Sequence, residues 1–198
     1  MSDKKNGYIY YDYSKKSEIQ EIKSTAWRSV FHWFSGIVAV LSVVFLAVIF
    51  VLRPVTVDGP SMEPTLHNGD MLFVYSLGYE PEVGDIVIVG THDNSLEPII
   101  KRIVAKENQT VEIDYEQGVL IVDGEVVQED YISPMNVVPV NEIEYPYTVP
   151  KGHVFVMGDN RNESRDSRYV TVGTIDENRI AGKAVFRFYP FNSFASFQ

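Results

Sequence analysis

The chain contains no cysteine among its 198 residues. This absence excludes a disulfide framework, a cysteine-ligated zinc site and a thiol nucleophile. Only four histidines are present, scattered and without a pair at helical spacing, so no histidine metal centre is expected. Basic residues are outnumbered 17 to 27, giving a net charge of −10, and they form no cluster. Binding to nucleic acid is therefore not expected.

Charge is missing altogether from residues 30–52, a run of 23 residues without Asp, Glu, Lys or Arg. A helix of this length is about 35 Å long, enough to cross a hydrocarbon core of about 30 Å. Trp27 and Trp33 occupy the positions of an interfacial aromatic belt. The alternatives are a buried core helix and a cleaved signal peptide. The run is long for both, and no small-x-small cleavage motif follows it. The sequence predicts a transmembrane helix over 30–52.

The distribution of basic residues around this span predicts its orientation. Six basic residues precede the span, whereas only Arg53 follows it before Lys101. Under the positive-inside rule, residues 1–29 form a polar cytoplasmic tail and residues 53–198 lie outside the cell membrane. This outer part holds 23 acidic and 11 basic side chains, a net charge of −12. The protein is expected to be a single-pass membrane protein with membrane lipid as one partner.

After the span, short β-rich segments alternate with turn residues. Asp123-Gly124 marks a two-residue hairpin turn, because both positions tolerate positive φ. The pattern predicts one mainly β domain of coiled antiparallel or barrel-like sheets. The clearest predicted strands are 71–76, 85–89, 98–105, 110–115, 119–122, 153–157 and 184–189.

Ser61 is a candidate nucleophile. It lies between Pro60 and Pro64, which fix φ and discourage regular structure, so its hydroxyl is presented from a rigid turn. The alternative is a proline-rich turn whose serine bonds its own backbone. The segment is not the Gly-x-Ser-x-Gly elbow, because position 63 is Glu.

Lys101 is a candidate general base. In an extended strand Lys101 and Arg102 point to opposite faces, and each shares its face with isoleucine or valine. One of the two must therefore lie on an apolar face, where a lysine loses its proton more readily. The alternative is a surface lysine on an edge strand.

Residues 158–168 combine three arginines with three acidic residues directly after an apolar strand. They do not fit a calcium loop, since Arg161 occupies the third ligand position. They could form a solvated loop or a network braced by Asp–Arg pairs.

Together these segments resemble the type I signal peptidases, the serine–lysine membrane proteases that remove signal peptides from exported proteins. The single span and compact outer domain are similar to the Gram-positive branch, and the resemblance covers the anchor and nearly all of residues 53–198. The matching residues are Ser61-Met62-x-Pro64-Thr65-Leu66, Asn68-Gly69-Asp70, Gly84-Asp85, Lys101-Arg102, Gly158-Asp159-Asn160-Arg161, Ser164, Asp166-Ser167-Arg168 and the segment 180–190.

The resemblance implies a role for each matching residue. Ser61 would be the nucleophile, Lys101 its general base, and Ser164 the residue that orients Lys101. The backbone N–H of Ser61 would bind the oxyanion, while Met62 and Gly59 would lie beside the substrate pocket. The chain before Ser61 and the chain before Lys101 would hold the signal peptide as an added strand, with small residues at −1 and −3. Asp159, Arg161, Asp166 and Arg168 would be structural. No cofactor and no metal would be needed.

Two local departures accompany the resemblance. Gly59 stands where some members carry a serine that helps to bind the oxyanion. Ala105 and Asn108-Gln109 stand where the family usually has glycine and Gly-Asp.

Two other functions remain open from the sequence alone. The same chemistry could serve a narrow client such as a pilin subunit, or the outer domain could be a non-catalytic scaffold. Self-cleaving repressors also use Ser and Lys, but they need a DNA-binding domain, and here a membrane span takes its place. The oligomeric state is not indicated by the sequence.

Overall fold

The computed structural model describes residues 4–5, 8–9, 13–90 and 98–197, and divides the chain into two compact units, Met1–Phe50 and Val51–Gln198. The first unit contains the short strands β1 (Lys4–Lys5) and β2 (Tyr8–Ile9), which pair with each other, and most of the helix α1 (Tyr13–Val51). Within α1, Trp27–Leu46 is long and apolar enough to cross a membrane, and its side chains are exposed. This helix is compatible with membrane anchoring.

The regular secondary structure of the second unit is almost entirely β-strand, as predicted. The only other helical element among the described residues is a short 3₁₀ turn at Glu177–Arg179. The strands are β3 (Leu52–Thr56), β4 (Met71–Tyr75), β5 (Ile86–Val89), β6 (Ile99–Ala105), β7 (Thr110–Asp114), β8 (Val119–Val122), β9 (Glu125–Val126), β10 (Tyr147–Thr148), β11 (His153–Met157), β12 (Ile175–Asp176), β13 (Ile180–Tyr189) and β14 (Ala195–Ser196).

The main sheet is antiparallel and has the order β12-β11-β6-β5-β13-β4-β3, with β14 added to β13. The ten-residue strand β13 pairs with β5 along its first part and with β4 along its second, with register shifts in both ladders. Such shifts mark bulges, which bend a strand and increase its twist. The sheet therefore curls, and β6 lies in its interior between β5 and β11.

The second sheet is smaller, with the order β10-β7-β8-β9. Its β8–β9 hairpin turns at Asp123 (φ 53°) and Gly124 (φ 81°), the two positive values that a type I′ turn requires. The predicted hairpin is confirmed.

The core of this unit consists of three apolar clusters. One cluster, which includes Val57, Met62 and Ile100, lies between the nucleophile segment and β4–β6. A second joins the small sheet to the main sheet around Val111 and Phe155, and the third packs around Ile103. Strands with alternating or continuous apolar residues supply these clusters, because each buries one or both faces.

The predicted strands match the observed ones to within a few residues at their ends, and the mainly β fold class is confirmed. The apolar run predicted a helix over 30–52, whereas α1 begins at Tyr13 and ends at Val51. Leu52, assigned to the span by its hydropathy, is the first residue of β3 and pairs with Tyr75. Hydropathy detects the apolar part of a helix and not its polar extension.

Candidate active site

Ser61 lies on an irregular turn that follows β3, as the flanking prolines predicted. Two asparagines hold this turn. Asn68 Oδ1 accepts the N–H of Gly59 at 3.0 Å, and the Asn160 backbone N–H donates to the carbonyl of Ser61 at 3.1 Å. The Asn160 side chain also donates to the carbonyl of Pro60 at 3.2 Å. The nucleophile is therefore fixed from both sides of the turn.

The backbone N–H of Ser61 takes part in none of the hydrogen bonds among the described residues. It is available as an oxyanion donor, which is the role predicted for it. The N–H of Gly59 already donates to Asn68 Oδ1, so it is not free to act as a second donor to the oxyanion. Met62 is buried to 1% exposure in the apolar cluster beneath the turn, and its place beside the substrate pocket stays a prediction.

Lys101 and Ser61 meet directly, although 40 residues separate them in the sequence. The Nζ atom of Lys101 lies 2.8 Å from Ser61 Oγ and donates to the carbonyl of Ile100 at 2.9 Å. Lys101 is 3% exposed and lies on an interior strand of the sheet. The alternative of a surface lysine on an edge strand therefore does not apply.

The environment of Lys101 destabilises its charged form. Burial lowers the pKa of Lys101 from 10.5 to about 8, because the charged form loses its hydration. The carboxylates of Asp166 and Asp159 oppose this effect, and the guanidinium of Arg168 adds to it. A fraction of the enzyme near neutral pH thus carries a free amine within hydrogen-bonding distance of a serine hydroxyl, the geometry of a general base and its nucleophile.

Asp159 connects the three segments that form the site. Its Oδ1 accepts from Arg102 Nε at 2.8 Å, and its Oδ2 accepts from Arg102 Nη2 and from Thr65 Oγ1, both at 2.6 Å. One carboxylate thereby ties the residue after the base to the nucleophile turn. Arg102, like Lys101, is buried, at 8% exposure.

Arg161 extends the network to a segment that the sequence did not indicate. It pairs with Glu129 through two bonds of 2.7 and 2.6 Å, and Tyr131 donates to the same carboxylate at 2.9 Å. The guanidinium of Arg102 stacks on the Tyr131 ring, 4.0 Å from its centroid. Glu129 and Tyr131 belong to a stretch with no recognisable pattern, so only the fold reveals their proximity to the site.

Asp166 and Arg168 brace the loop that follows β11. Arg168 Nε donates to Asp166 Oδ1 at 2.8 Å, and both side chains are fully buried. Asp166 Oδ2 also accepts the N–H of Gly158 at 3.0 Å, and Arg168 donates to the carbonyl of Arg161 at 2.6 Å. Within residues 158–168, Asp159, Arg161, Asp166 and Arg168 thus belong to a buried ion-pair network, whereas Glu163 and Arg165 are exposed.

The hydroxyl of Ser164 lies in this network without a hydrogen-bond partner. Its Oγ is buried, and the structure has no bond between it and Lys101, whose Nζ is oriented instead by the Ile100 carbonyl. A Cβ on Gly158 would lie 2.2 Å from Ser164 Oγ and 2.3 Å from the carbonyl of Ser61. Ser164 thus lies close to the nucleophile segment, and its role in orienting Lys101 stays a prediction.

A cavity of about 440 Å³ opens beside Ser61 and Lys101. Its apolar wall is formed by residues from β5 and from the two chain segments predicted to hold the substrate, the end of β3 and the start of β6. The lining residues are Val55, Thr56, Asp58, Ser61, Ile88, Pro98, Ile99, Ile100 and Lys101. The arrangement combines a candidate nucleophile, a candidate base, a free backbone donor and an apolar cleft, which are the components of an acyl-transfer site.

Comparison with known proteins gives a consistent set of matches. The family model described as "Signal peptidase, peptidase S26" matches residues 30–189. The chain is 37% identical to a signal peptidase I of Bacillus licheniformis, over 87% of this chain and 96% of that protein. It is 38% identical to a signal peptidase I of Bacillus amyloliquefaciens, over 90% of this chain and 93% of that protein.

A solved structure, a signal peptidase I from Enterococcus faecalis, covers 54% of this chain and 98% of its own. The identity is 22% and the TM-score is 0.41.

Proposed function

This chain belongs to the peptidase S26 family of signal peptidases, and we propose that it uses Ser61 and Lys101 as a catalytic dyad to cleave signal peptides. Membership makes it a serine protease that acts on the signal peptides of preproteins. The observation that carries the assignment of the dyad is the 2.8 Å distance between Lys101 Nζ and Ser61 Oγ inside a site where burial lowers the lysine pKa to about 8.

The reaction begins when neutral Lys101 takes the proton of Ser61 Oγ. The oxygen attacks the carbonyl carbon of the substrate residue at −1, and the backbone N–H of Ser61 donates to the oxyanion that forms. The protonated Lys101 then gives its proton to the leaving amine, which breaks the peptide bond and leaves an ester on Ser61. Lys101 next activates a water molecule, which releases the signal peptide by hydrolysing the ester.

Substrate specificity follows from the walls of the cavity. The substrate is held as an added strand between the end of β3 and the start of β6, so that main-chain hydrogen bonds supply affinity. Val55, Ile88 and Ile100 give the cavity an apolar surface, on which small residues are expected to bind at −1 and −3. The expected cleavage motif is Ala-x-Ala.

The apolar part of α1 anchors the enzyme in the cell membrane. The excess of basic residues before the span puts residues 1–29 in the cytoplasm and residues 53–198 outside, where an exported precursor emerges. A soluble substrate would have to diffuse to the site, whereas a precursor still in the membrane is already confined to the same surface.

The structure favours catalysis over a non-catalytic scaffold. The pKa of Lys101 falls from 10.5 to about 8, so its charged form is about 3 kcal/mol less stable, relative to the neutral amine, than in water. A scaffold gains nothing from a buried amine at hydrogen-bonding distance from a serine, because an apolar side chain would fill the same space without that cost.

The test is cleavage of a purified precursor by the full-length protein in detergent, with N-terminal sequencing of the product. We expect cleavage after the second alanine of an Ala-x-Ala site, and no cleavage by the Ser61→Ala variant. A matched precursor with tryptophan at −1 should not be cleaved by the wild type. Cleavage that ignores the residue at −1 would refute the specificity. No cleavage of a general precursor by the folded wild type would favour a narrow client.

A further inference from the structure

Among the described residues, one carboxylate lines the cavity beside the dyad. Asp58 lines it together with Ser61 and Lys101, and the other lining residues carry no charge. The Asp58 side chain is exposed, and none of the hydrogen bonds or ion pairs among residues 13–90 and 98–197 involves it. The other carboxylates near the site, Asp159 and Asp166, are fully buried and paired with arginines. Asp58 is therefore free to interact with whatever occupies the cavity.

The direction of Asp58 follows from the alternation of the extended chain before Ser61. Val57 is buried in the core and Val55 packs against the same cluster, whereas Thr56 and Asp58 are exposed. Successive side chains of an extended segment point to opposite faces. Asp58 thus lies on the outer face, opposite to the apolar face that Val55 and Val57 form.

A substrate bound as a strand beside this segment alternates in the same way. If its side chains at −1 and −3 point to the apolar face, its side chain at −2 points to the outer face. Of the substrate side chains on the outer face before the cut, the one at −2 is nearest to the carbonyl that Ser61 attacks. Asp58 stands three residues before Ser61 and lines the same cavity.

We propose that Asp58 is a specificity-determining residue, which selects a basic side chain and rejects an acidic one at substrate position −2. The inference rests on the proposed function of the same site and adds a charge preference to it. Neighbouring side chains on one face of a sheet interact, and opposite charges attract while like charges repel. Because Asp58 is exposed, its effect is screened by salt.

The expected magnitude is set by an exposed cross-strand pair. We expect kcat/KM for a substrate with lysine at −2 to exceed that for glutamate at −2 by about three- to tenfold at low ionic strength. At 1 M salt, where the screening length is about 3 Å, this ratio should fall close to one.

Asp58 does not act through the base. The groups that shift the pKa of Lys101 are its burial, Asp166, Asp159 and Arg168, and Asp58 is not among them. Asp58→Asn should therefore leave the pH midpoint of cleavage unchanged. A shifted midpoint would identify Asp58 as a positioning residue for Lys101 and would overturn the proposal.

The experiment measures kcat/KM for three precursor peptides that differ only in lysine, glutamine or glutamate at −2. The full-length wild type is compared with Asp58→Asn, Asp58→Lys and Glu125→Gln, the last of which removes an exposed charge in the β8–β9 hairpin outside the cavity. We expect the lysine preference in the wild type and in Glu125→Gln, no preference in Asp58→Asn, and preference for glutamate in Asp58→Lys.

Besides a shifted pH midpoint in Asp58→Asn, two results would overturn the inference while leaving the proposed function intact. One is equal cleavage of the three peptides by the wild type, and the other is a lysine preference that survives in Asp58→Asn. Failure of the wild type to cleave any of the peptides, including the neutral one, would instead refute the proposed function and the inference with it.

Discussion

The dyad predicts a specific dependence of cleavage on pH. Only the neutral form of Lys101 can accept the proton of Ser61, and burial lowers its pKa to about 8. Cleavage should therefore increase as the pH rises through 8 and reach a plateau above it. The perturbation is the pH itself, which changes the protonation of the base without altering a residue.

The size of the effect follows from the pKa. With a pKa of about 8, about 1% of Lys101 is neutral at pH 6, about a tenth at pH 7 and about nine-tenths at pH 9. The value of kcat/KM should rise about 90-fold between pH 6 and pH 9. If the base were an exposed lysine with a pKa of 10.5, kcat/KM would still be rising steeply at pH 10.

The assay is kcat/KM for a fluorogenic peptide with an Ala-x-Ala site, measured from pH 6 to pH 10 with the full-length protein in detergent. Circular dichroism at each pH checks that the protein remains folded. A profile that is flat over this range, or one that still rises steeply at pH 10, would refute the link between burial and catalysis.

Three substitutions extend the account from the base to its surroundings. Lys101→Met should abolish cleavage but raise the free energy of unfolding, measured in urea at pH 7, by about 2 kcal/mol, because below pH 8 the folded wild type carries a buried charge at Lys101. An unchanged or lower free energy of unfolding would contradict this. Gly158→Ala should cost about 1–3 kcal/mol and reduce kcat, because its Cβ would meet the Ser61 carbonyl at 2.3 Å; wild-type kinetics would exclude this contact. Glu129→Gln should lower the free energy of unfolding in urea by about 3–5 kcal/mol, because it leaves Arg161 buried without its charge partner. A loss below 1 kcal/mol would show that the ion pair is not needed for stability.

The sequence predicted the strands well because each has a strong local signal. The strand Val119–Val122 agrees at both ends, and the turn at Asp123-Gly124 adopts the predicted positive φ values. Short strands such as Tyr147–Thr148 escaped prediction, since two residues carry no periodicity and are ordered only by their neighbours. The order of the strands in the curled sheet depends on long-range pairing, which no local pattern encodes.

The candidate site was predicted in part. Family motifs and the proline-flanked turn pointed to Ser61, and the basic pair in an apolar strand pointed to Lys101; the structure brings their side chains to 2.8 Å. The contribution of Glu129 could not be predicted, because its partner Arg161 lies 32 residues further along the chain. The hydrogen bond expected between Ser164 and Lys101 is not found, since the amine points to the Ile100 carbonyl.

The catalytic role of the dyad is tested most directly by a double-mutant cycle. The values of kcat/KM for one Ala-x-Ala precursor are measured for the wild type, Ser61→Ala, Lys101→Ala and the double variant. If the two residues act as a unit, each single variant loses about as much activity as the double variant. Losses that multiply in the double variant, or substantial cleavage by Lys101→Ala near neutral pH, would contradict the assignment of Ser61 and Lys101 as nucleophile and base.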